Sequence, residues 1–490
     1  MSDASTLIQL ALISHTNAGK TTLARTLSGI DVGEVRDAPH VTTWSEASVL
    51  LQSPRGDILQ LWDTPGFGDS VRLFKRLAMS GNPLGWFLSE VVDRHSDWPF
   101  WLSQQAVKAA RDAADVVLYL VNASEDPNDA GYLDSELKIL QWLGKPVLIL
   151  LNQTGAPRPF PIEEAEQVRW REYLARYPCI RKILSLDAFS RCWVHERVFY
   201  ASVGDLIPAE KRDAYTRLLS IWEQENGRRF EAAMNLLATQ IVNAARDSEL
   251  IERDEGAVMG TLLGVVGLGK KRDQMLQNKA MASLMLRLNA RTQTTTTSLL
   301  ELYRLDPGEA ARISDAVNDA FVVREPIDPV QAGLLGAVIT GAATGLKADL
   351  ISGGLTHGAG AIFGGIVGAI TFASAAWGFN AGTARDQPEM RFSDDFLRSL
   401  VIAALLRYLA VTHFGRGRGK FLADDAPGFW QKEVENALDL DAVNAVDVLR
   451  HVRSVSTPDG AILALGATLK QVSITVFDNL YPGTYRAGLP

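Results

Sequence analysis

A strand-like run and the glycine- and lysine-containing loop after it constrain the fold more than any other feature of this chain. Five of the seven residues from Leu7 to Ile13 are aliphatic, as a buried parallel strand requires. The next eight residues, SHTNAGKT, precede a helix-like run that ends at Leu27. Backbone N–H groups of such a loop point at an anion, as does the helix N-terminus, so the pattern predicts a phosphate-binding loop. Ser14 stands where the first glycine of the GxxxxGK[ST] pattern belongs.

The residue types of this loop and of a second motif indicate nucleotide chemistry. Lys20 supplies a mobile charge for β- and γ-phosphates, and Thr21 supplies a hydroxyl for Mg²⁺. The second motif, DTPG, follows the strand-like run DILQLW and extends from Asp63 to Gly66. An acidic residue at the end of a strand beside the first loop can hold Mg²⁺ through water, so we predict Asp63 as a metal ligand. Gly66 can offer its N–H to a γ-phosphate.

With these two motifs, about the first 200 residues resemble P-loop GTPases of the Era and TrmE type, in the translation-factor class. The resemblance implies an α/β domain with a doubly wound, mostly parallel sheet, which binds GTP or GDP with Mg²⁺ and hydrolyses the β–γ phosphoanhydride. It implies Lys20, Thr43 and Gly66 as catalytic residues, and Thr21, Thr43 and Asp63 as metal ligands. The pair Thr42-Thr43 has an alternative interpretation as ordinary strand-edge threonines. The nucleotide-binding positions implied by the resemblance are Asn17, Ala18, Gly19, Lys20, Thr21, Thr22, Asn152, Gln153, Asp187 and Ala188.

Two positions refine the expected mechanism. Asn17 occupies the loop position at which potassium-activated members of the family hold K⁺, so K⁺ is a possible second cofactor. Phe67 occupies the position where Ras-like proteins carry the glutamine that orients water. Because a hydrophobic side chain cannot orient water by hydrogen bonding, we expect slow intrinsic hydrolysis. Related proteins with such a substitution often gain activity through dimerisation, a cation or a partner, which implies a homodimer or an unidentified protein partner here.

The base-recognition motif departs from the family pattern. Where the family has NKxD, this chain has Asn152-Gln153-Thr154-Gly155 after the apolar run PVLILL. Gln153 can lay its methylene groups over a base. Gly155 cannot supply the carboxylate that accepts hydrogen bonds from guanine, a loss of about 1–3 kcal/mol of selectivity. The sequence therefore leaves the preference for GTP over ATP open.

Residues 70–110 form a long passage that contains Trp86, Phe87, Trp98, Phe100 and Trp101. One interpretation is a docking face that responds to nucleotide. The other is a helical cover whose aromatic side chains pack inward. The sequence does not separate these two possibilities.

Composition narrows the compartment and the partners. The net charge is −8, which disfavours a general nucleic-acid binder. Two cysteines, Cys179 and Cys192, indicate a reducing compartment and are too few for a metal site. The N-terminus has no basic region before its short apolar run, so the sequence predicts no signal peptide.

After the predicted GTPase domain (1–205), the alternation of strand and helix stops. Helical spacing predicts amphipathic helices at 209–247 and 270–305, within a helical linker or stalk region (206–328). The threonine run Thr294 to Thr297 suggests at most a helix start. A glycine-rich stretch (329–386) follows, and between Val330 and Ala384 it contains only two formal charges. Its glycines recur every fourth residue, which predicts a tightly packed helical hairpin, a glycine zipper. Membrane insertion, a buried soluble hairpin and an oligomeric pore remain alternatives for this hairpin.

The C-terminal region (387–490) is predicted to be helical. Phe396 to Phe414 is strongly apolar with arginines at 398 and 407, and it suits either an anionic membrane surface or a protein core. Glu433 to Val452 reads as an amphipathic helix. The tail contains no chemical motif.

This layout resembles bacterial proteins that join an Era-like GTPase domain to a glycine-zipper domain of unknown function. It implies a nucleotide switch that acts on a helical, membrane-associated region, at the cytoplasmic face of the inner membrane or in the cytoplasm. Two alternatives stay open. One is a soluble Era-like GTPase of ribosome or RNA assembly. The other is a membrane-active pore or remodelling protein gated by nucleotide.

Overall fold

The computed structural model describes residues 5–28, 46–67, 69–78, 98–155, 158–186, 192–251, 266–305, 313, 377–379, 389–413, 428–440, 452–453 and 457–482. The chain forms two compact units. The first comprises Met1–Arg228 together with Thr412–Lys420 and Leu480–Pro490. The second comprises Arg229–Val411 and Phe421–Asn479.

A six-stranded sheet in the order β2-β3-β1-β4-β5-β6 forms the centre of the first unit. Strand β2 runs antiparallel to β3, and the other neighbouring pairs are parallel. The strand order reverses at β1, which lies between β3 and β4, and ligands of such sheets bind outside the carboxyl ends at this point. The mostly parallel, doubly wound sheet is therefore confirmed. Its strands are β1 (Leu7–Ser14), β2 (Glu46–Gln52), β3 (Ile58–Asp63), β4 (Val116–Asn122), β5 (Val147–Asn152) and β6 (Ile180–Ser185).

Helices cover both faces of this sheet, which explains why the central strands β4 and β5 are continuous apolar runs rather than alternating ones. All residues of β5 are buried, as are all but the last of β4. The described helices that follow the strands are α1 (Lys20–Ser28), α2 (Ser70–Ala78), α3 (Trp98–Asp112), α4 (Leu133–Leu143), α5 (Phe160–Leu174) and α6 (Trp193–Gly204).

The aromatic passage at 70–110 is helical where the structure describes it. In α3, Phe100 and Trp101 are 1% and 8% exposed, so these two side chains pack inward as a helical cover. Trp86, Phe87 and the side chain of Trp98 lie outside the described residues. The docking-face interpretation is wrong for Phe100 and Trp101, because burial within the folded protein takes both rings out of water.

The part of the chain that follows the predicted GTPase domain is largely helical where the structure describes it, as predicted. Helix α7 begins in the first unit and ends in the second, and α8 lies in the second unit. These two helices match those predicted at 209–247 and 270–305. The described helices of this region are α7 (Arg212–Arg246), α8 (Val266–Leu302), α9 (Asp394–Thr412), α10 (Phe429–Leu440) and α11 (Pro458–Leu480).

Two local features of this region differ from the sequence prediction. A small antiparallel sheet in the order β7-β9-β8 is present, formed by β7 (Ser248–Leu250), β8 (Trp377–Phe379) and β9 (Glu389–Phe392). Thr294 and Thr296 lie inside α8 rather than at a helix start. Their hydroxyls donate to the carbonyls of Ala290 and Thr292 at 3.0 and 2.8 Å, a bond that lets threonine occupy a helix interior.

Helix α9 is a core helix. Most of its side chains are buried, and Arg407 is only 2% exposed. The run from Phe396 to Phe414 was predicted to be either a helix on a membrane surface or a helix of a protein core. For its described residues, the protein-core interpretation is correct and the membrane-surface interpretation is wrong. The predicted glycine-rich hairpin lies outside the described residues, except for β8.

One described helix, α11, has the length and apolar composition needed to cross a membrane. Within the second unit α11 also packs closely on α7. A Cβ at Gly466 would lie 2.8 Å from Asn235 Oδ1, so a larger residue there would have to displace the Asn235 side chain. Of the most apolar stretch of α11, 44% is buried within the protein.

Candidate functional site

The loop after β1 has the backbone of a phosphate-binding loop. Asn17 and Gly19 adopt positive φ angles of 65° and 84°. Asparagine and glycine tolerate this left-handed region, so both residue types suit their positions. Ser14 is not among the described residues with positive φ. The glycine that the GxxxxGK[ST] pattern places there is consequently not required by the backbone.

Lys20 and Asp63, predicted from two separate motifs, lie together. Lys20 Nζ donates to Asp63 Oδ1 at 2.9 Å, and the two residues are 7% and 6% exposed. Thr21 follows Lys20 in the first turn of α1. The Thr21 hydroxyl and the Asp63 carboxylate are hard oxygen donors, which suit Mg²⁺. These residues therefore fit the cation that the resemblance implies, and would hold it beside the phosphate-binding loop.

The DTPG segment is tied directly to this loop. Phe67 N donates to Ser14 O at 2.9 Å, and Thr16 Oγ1 donates to Phe67 O at 2.9 Å. Gly66 lies so close that a Cβ there would be 3.4 Å from Ser14 O. The Phe67 ring is fully buried in the apolar core. Gly66 is therefore beside the loop as predicted, and the side chain at position 67 faces away from solvent.

The NQTG motif contacts the same loop from the end of β5. Asn152 is fully buried and donates through Nδ2 to Ala18 O at 2.9 Å. Gln153 Nε2 donates to Asn17 O at 3.4 Å. Gly155 has a φ of +85°, and a Cβ added there would meet no atom within 4 Å. The structure thus brings Asn152 and Gln153 to the phosphate-binding loop and leaves open space at the position that lacks a carboxylate.

An arginine that sequence reasoning missed supports the NQTG loop. Arg158 donates to both carboxylate oxygens of Glu166 at 2.9 and 2.6 Å, and through Nη2 to Thr154 O at 3.2 Å. The hydrogen bonds to the Glu166 carboxylate raise the pKa of Arg158. The backbone N of Arg158 donates to Glu163 Oε1 at 2.9 Å. A cavity of about 10 Å³ lies here, room for about one water molecule. Arg158 therefore fixes the loop from its C-terminal side.

A buried polar network behind the phosphate-binding loop was also missed. His15 Nδ1 is 2.7 Å from Glu136 Oε1, and the Tyr119 hydroxyl donates to Glu136 Oε2 at 2.6 Å. Glu136 is fully buried in α4, and the His15 ring stacks on Tyr132 at 3.9 Å. Burial, and then the Glu136 charge, raise the pKa of Tyr119. The signal in the sequence is Glu136 itself, a carboxylate at a core-facing position between Leu133 and Leu137, which requires a partner.

The remaining predicted site residues divide into two groups. Thr22 is a buried residue of α1. Thr43, Asp187 and Ala188 lie outside the described residues, so their roles stay predictions. Within the described ranges, no group of three or more His, Cys, Asp or Glu side chains could hold a metal ion.

Comparison with known proteins places two families on the chain. A family model described as "50S ribosome-binding GTPase" matches residues 9–153. A second model, described as "Domain of unknown function (DUF3482)", matches residues 171–452. No curated protein sequence matches the chain.

Solved structures with a similar fold include two of Era. Era in complex with MgGDPNP and a fragment of 16S ribosomal RNA is 17% identical, with a TM-score of 0.28, over 38% of this chain and 52% of that one. A single-residue variant of Aquifex aeolicus Era bound to GDP and AlF4⁻ is 18% identical, with a TM-score of 0.31, over 41% and 57%. Elongation factor SelB from Methanococcus maripaludis is 18% identical, with a TM-score of 0.24, over 37% and 30%.

The chain thus spans about half the length of the Era chains that it matches. Its N-terminal part is a P-loop GTPase domain, since the matched residues contain the phosphate-binding loop, the DTPG segment and Asn152. Because the second match covers more than half of the 490 residues, the chain belongs to the DUF3482 family, whose domain here follows a GTP-binding P-loop GTPase domain.

Proposed function

We propose that this protein is a nucleotide switch that binds GTP or GDP with Mg²⁺, hydrolyses GTP slowly and controls its helical region through the bound nucleotide. One observation carries the proposal. The buried pair of Lys20 and Asp63 lies beyond the carboxyl ends of the adjacent strands β1 and β3. Asn152 and Gln153 donate hydrogen bonds to the phosphate-binding loop that follows β1. This arrangement supports the proposal that phosphate, metal and base are bound at one edge of the sheet.

The expected chemistry needs little from the protein beyond positioning and charge. Lys20 and the N-terminus of α1 bind the phosphates, and Gly66 donates its N–H to the γ-phosphate. Mg²⁺, when bound, neutralises charge that develops on the phosphate oxygens. Thr21 and Asp63 are the side chains that would hold it, with Thr43 as a further predicted ligand.

Slow hydrolysis follows from Phe67. Its ring is fully buried. Its backbone N–H donates to Ser14 O, and its carbonyl accepts a hydrogen bond from Thr16 Oγ1. A phenyl ring has no group that can orient an attacking water. We therefore infer that a faster rate requires a cation such as K⁺, a second copy of the chain or a partner protein.

Membrane association is the second part of the proposal. Its support is the apolar composition of α11 and of the glycine-rich stretch at 329–386. The nucleotide must come from the cytosol, which puts the GTPase domain at the cytoplasmic face of the inner membrane. If the full-length protein does not float with liposomes of anionic lipid, this part is wrong.

Nucleotide titration tests the central proposal. GTP, GDP, ATP and ADP are titrated against the purified full-length protein with Mg²⁺, in K⁺ and in Na⁺, and Lys20→Ala is the matched control. We expect GDP and GTP to bind wild type, and Lys20→Ala to weaken binding at least tenfold through loss of a charged contact. Absence of binding to wild type, or equal binding to the variant, contradicts the proposal.

Hydrolysis is measured separately under single-turnover conditions. We expect a slow rate of GTP hydrolysis in Na⁺. A faster rate in K⁺ would show that the cation activates hydrolysis, whereas a faster rate at high protein concentration would show that a second copy of the chain does. A rate in Na⁺ as fast as that of partner-activated GTPases, roughly 1–20 per second, contradicts the inference drawn from Phe67.

A ribosome-assembly GTPase is the second candidate. The observation that favours it is the description of the matched family model as 50S ribosome-binding GTPase. Cosedimentation with ribosomal subunits in the presence of a non-hydrolysable GTP analogue tests it. Binding that persists at moderate salt supports this candidate, whereas recovery of the protein only in the membrane fraction opposes it.

A further inference from the structure

Thr16 lies in the middle of the phosphate-binding loop, at a position for which the GxxxxGK[ST] pattern specifies no residue type. Its side chain is half-buried, and its hydroxyl donates to Phe67 O at 2.9 Å. Thr16 thus links the loop through its side chain to the segment that contains Gly66. This link depends on which residue stands at position 16.

The Phe67 backbone is held at both of its polar atoms. Its N–H donates to Ser14 O at 2.9 Å, and its carbonyl accepts from Thr16. Phe67 and His15 also form an isolated parallel β-bridge. The bond to Ser14 joins two backbone groups and survives a change of side chain at position 14, whereas the bond from Thr16 requires the hydroxyl.

Gly66 lies between two anchored residues. On one side Thr64 is fully buried and donates through Oγ1 to Leu12 O at 2.8 Å. On the other side is Phe67, the next residue in the chain. A Cβ at Gly66 would lie 3.5 Å from the Cα and the N of Thr16, so Gly66 also packs directly on Thr16. Contacts on both sides therefore set the position of the Gly66 N–H, and Thr16 makes one of them.

The chain beyond Phe67 has anchors of its own. The Phe67 ring is fully buried in the apolar core. Asp69, which precedes α2, accepts from Arg72 N through Oδ1 at 3.0 Å and from Leu73 N through its carbonyl at 3.1 Å. Loss of the Thr16 hydroxyl should therefore move a short stretch of backbone and leave α2 and the core in place.

A small movement of this backbone matters for one phosphate group. In the proposed function the Gly66 N–H donates to the γ-phosphate, which GTP has and GDP lacks. A hydrogen bond weakens steeply as its angle becomes less favourable. A displaced Gly66 N–H should therefore weaken the binding of a nucleoside triphosphate and leave the contacts to a diphosphate unchanged.

We propose that Thr16 is a positioning residue that sets the preference of the site for a nucleoside triphosphate over a diphosphate. Its hydroxyl holds the Phe67 carbonyl, and this contact keeps the Gly66 N–H aligned for a γ-phosphate oxygen. The inference rests on the proposed function, because it assumes that a guanine nucleotide binds at this loop with its γ-phosphate beside Gly66. It assigns the discrimination between the two nucleotide states to a side chain that neither motif identifies.

The test measures Kd values for GDP and for a non-hydrolysable GTP analogue, with Mg²⁺, on the purified full-length protein. Thr16→Val keeps the shape of threonine and removes the hydroxyl, whereas Thr16→Ser keeps the hydroxyl. Thr216→Val is the matched control, because the Thr216 hydroxyl also donates to a backbone carbonyl, that of Arg212 at 3.0 Å, but lies on α7 outside the nucleotide site. The Tm of each variant shows whether it is folded.

We expect Thr16→Val to weaken binding of the GTP analogue about fivefold, the effect of losing one hydrogen bond. GDP binding should change by less than about twofold, because GDP has no γ-phosphate for the affected N–H to contact. The ratio of analogue affinity to GDP affinity therefore falls. Thr16→Ser should retain most of the wild-type ratio, and Thr216→Val should keep it.

Amide hydrogen exchange without nucleotide gives a second readout. The Phe67 N–H donates to Ser14 O. It should exchange faster in Thr16→Val than in wild type, because the carbonyl of the same residue is no longer held and local opening becomes easier. Unchanged exchange at Phe67 would show that the hydroxyl does not hold this segment, and would overturn the inference.

The outcomes of the titration separate the inference from the proposed function. If wild type binds no guanine nucleotide, the proposed function fails. If wild type binds both nucleotides and Thr16→Val keeps the wild-type ratio, or weakens both equally, only the present inference is overturned. Should Thr16→Val be unfolded, Thr16→Ala removes the same hydroxyl and is measured in its place, with the same expected fall in the ratio.

Discussion

Gly19 combines a left-handed backbone with the tightest approach at the nucleotide site. Its φ is +84°, and a Cβ there would lie 2.6 Å from Asn152 Nδ2. Real Cβ atoms do not come so close, so a side chain at this position must displace Asn152 from Ala18 O. The position therefore requires glycine for a steric reason as well as a conformational one.

Substitution of Gly19 should abolish the site without unfolding the protein. We expect Gly19→Ala to weaken GDP binding at least tenfold, because Asn152 and the loop can no longer pack. Gly144→Ala is the control: Gly144 also has positive φ (+67°), but its Cβ would meet nothing within 4 Å. It should cost about 1 kcal/mol of stability and leave the Kd unchanged. Titration and thermal unfolding of both variants check this, and wild-type affinity in Gly19→Ala would contradict it.

Gly155 offers the opposite experiment, a gain of selectivity. The open space beside it can take a side chain, although its φ of +85° strains any residue other than glycine. We expect Gly155→Asp to raise the preference for GDP over ADP about tenfold by restoring a carboxylate for guanine. Gly155→Ala carries the same strain without the carboxylate and should not gain selectivity. Equal ratios in the two variants would show that the position does not face the base.

At the scale of elements, α7 is joined to the sheet by an ion pair between the partly exposed Arg217 and the buried Asp57. Arg217 donates from Nε and Nη2 to both oxygens of Asp57 at 2.9 and 3.0 Å, and Asp57 is 1% exposed beside the start of β3. Hydrogen bonds from Arg217 lower the pKa of Asp57 to about 2 from 3.8. A carboxyl group whose pKa is lowered on folding stabilises the fold at pH values above its unfolded-state pKa. This contribution to stability is lost as the pH falls towards the folded-state pKa.

The ion pair of Arg217 and Asp57 should therefore make the stability of the protein depend on pH. The contribution of Asp57 is fully present above pH 4 and disappears as the pH falls towards 2, with a total of about 2 kcal/mol. We expect the stability difference between wild type and Asp57→Asn to shrink over this interval in urea unfolding at pH 5, 4 and 3. Asp129→Asn, which changes an exposed side chain, controls for the loss of one charge. A difference that stays constant with pH would contradict the assignment.

Helix α9 contains a buried charge, the guanidinium of Arg407. Burial lowers the pKa of Arg407 to about 10, so its guanidinium stays charged at neutral pH. Its Nη2 donates to the neutral Gln240 Oε1 at 3.1 Å, and its buried Nε has no hydrogen-bond partner. No carboxylate among the described residues pairs with it. Such an arrangement reduces stability, because the cost of removing the charge from water is not repaid.

Replacing Arg407 by an apolar side chain of similar length should stabilise the second unit. We expect Arg407→Met to raise the free energy of unfolding by about 1–4 kcal/mol. Arg398→Met on the same helix is the control, since Arg398 forms an exposed pair with Asp439 at 2.7 Å and should change stability by less than about 1 kcal/mol. A lower Tm for Arg407→Met would mean that the guanidinium makes a favourable contact in the folded protein.

At the scale of the whole molecule, α7 is one continuous helix of 35 residues that starts in the first unit and ends in the second. A switch requires that the nucleotide alter the helical region. We expect a non-hydrolysable GTP analogue and GDP to give different hydrogen exchange within 70–110 and 205–390, and Lys20→Ala to remove the difference. Identical exchange with both nucleotides in wild type would leave nucleotide binding intact and refute coupling.

Much of the nucleotide site could be predicted because its signals are local. The loop SHTNAGKT, the DTPG segment and Asn152 each follow an apolar strand, and parallel strands bring their carboxyl ends to one edge of a sheet. The aliphatic runs likewise predicted the strands. Helix α11 lies within the region predicted to be helical, but its bounds were not predicted, although its apolar residues at helical spacing are visible in the sequence.

The sequence alone determined the fold class and the residues that we predict to bind phosphate, since residue type and spacing within a few positions specify both. Only the tertiary structure decided which distant side chains pair. His15 and Glu136 are 121 positions apart, Arg217 and Asp57 are 160 apart, and His413 and Tyr481 meet in a unit whose sheet ends more than 200 residues earlier. Such contacts depend on how helices and strands pack, and packing is a long-range property that local periodicity does not encode.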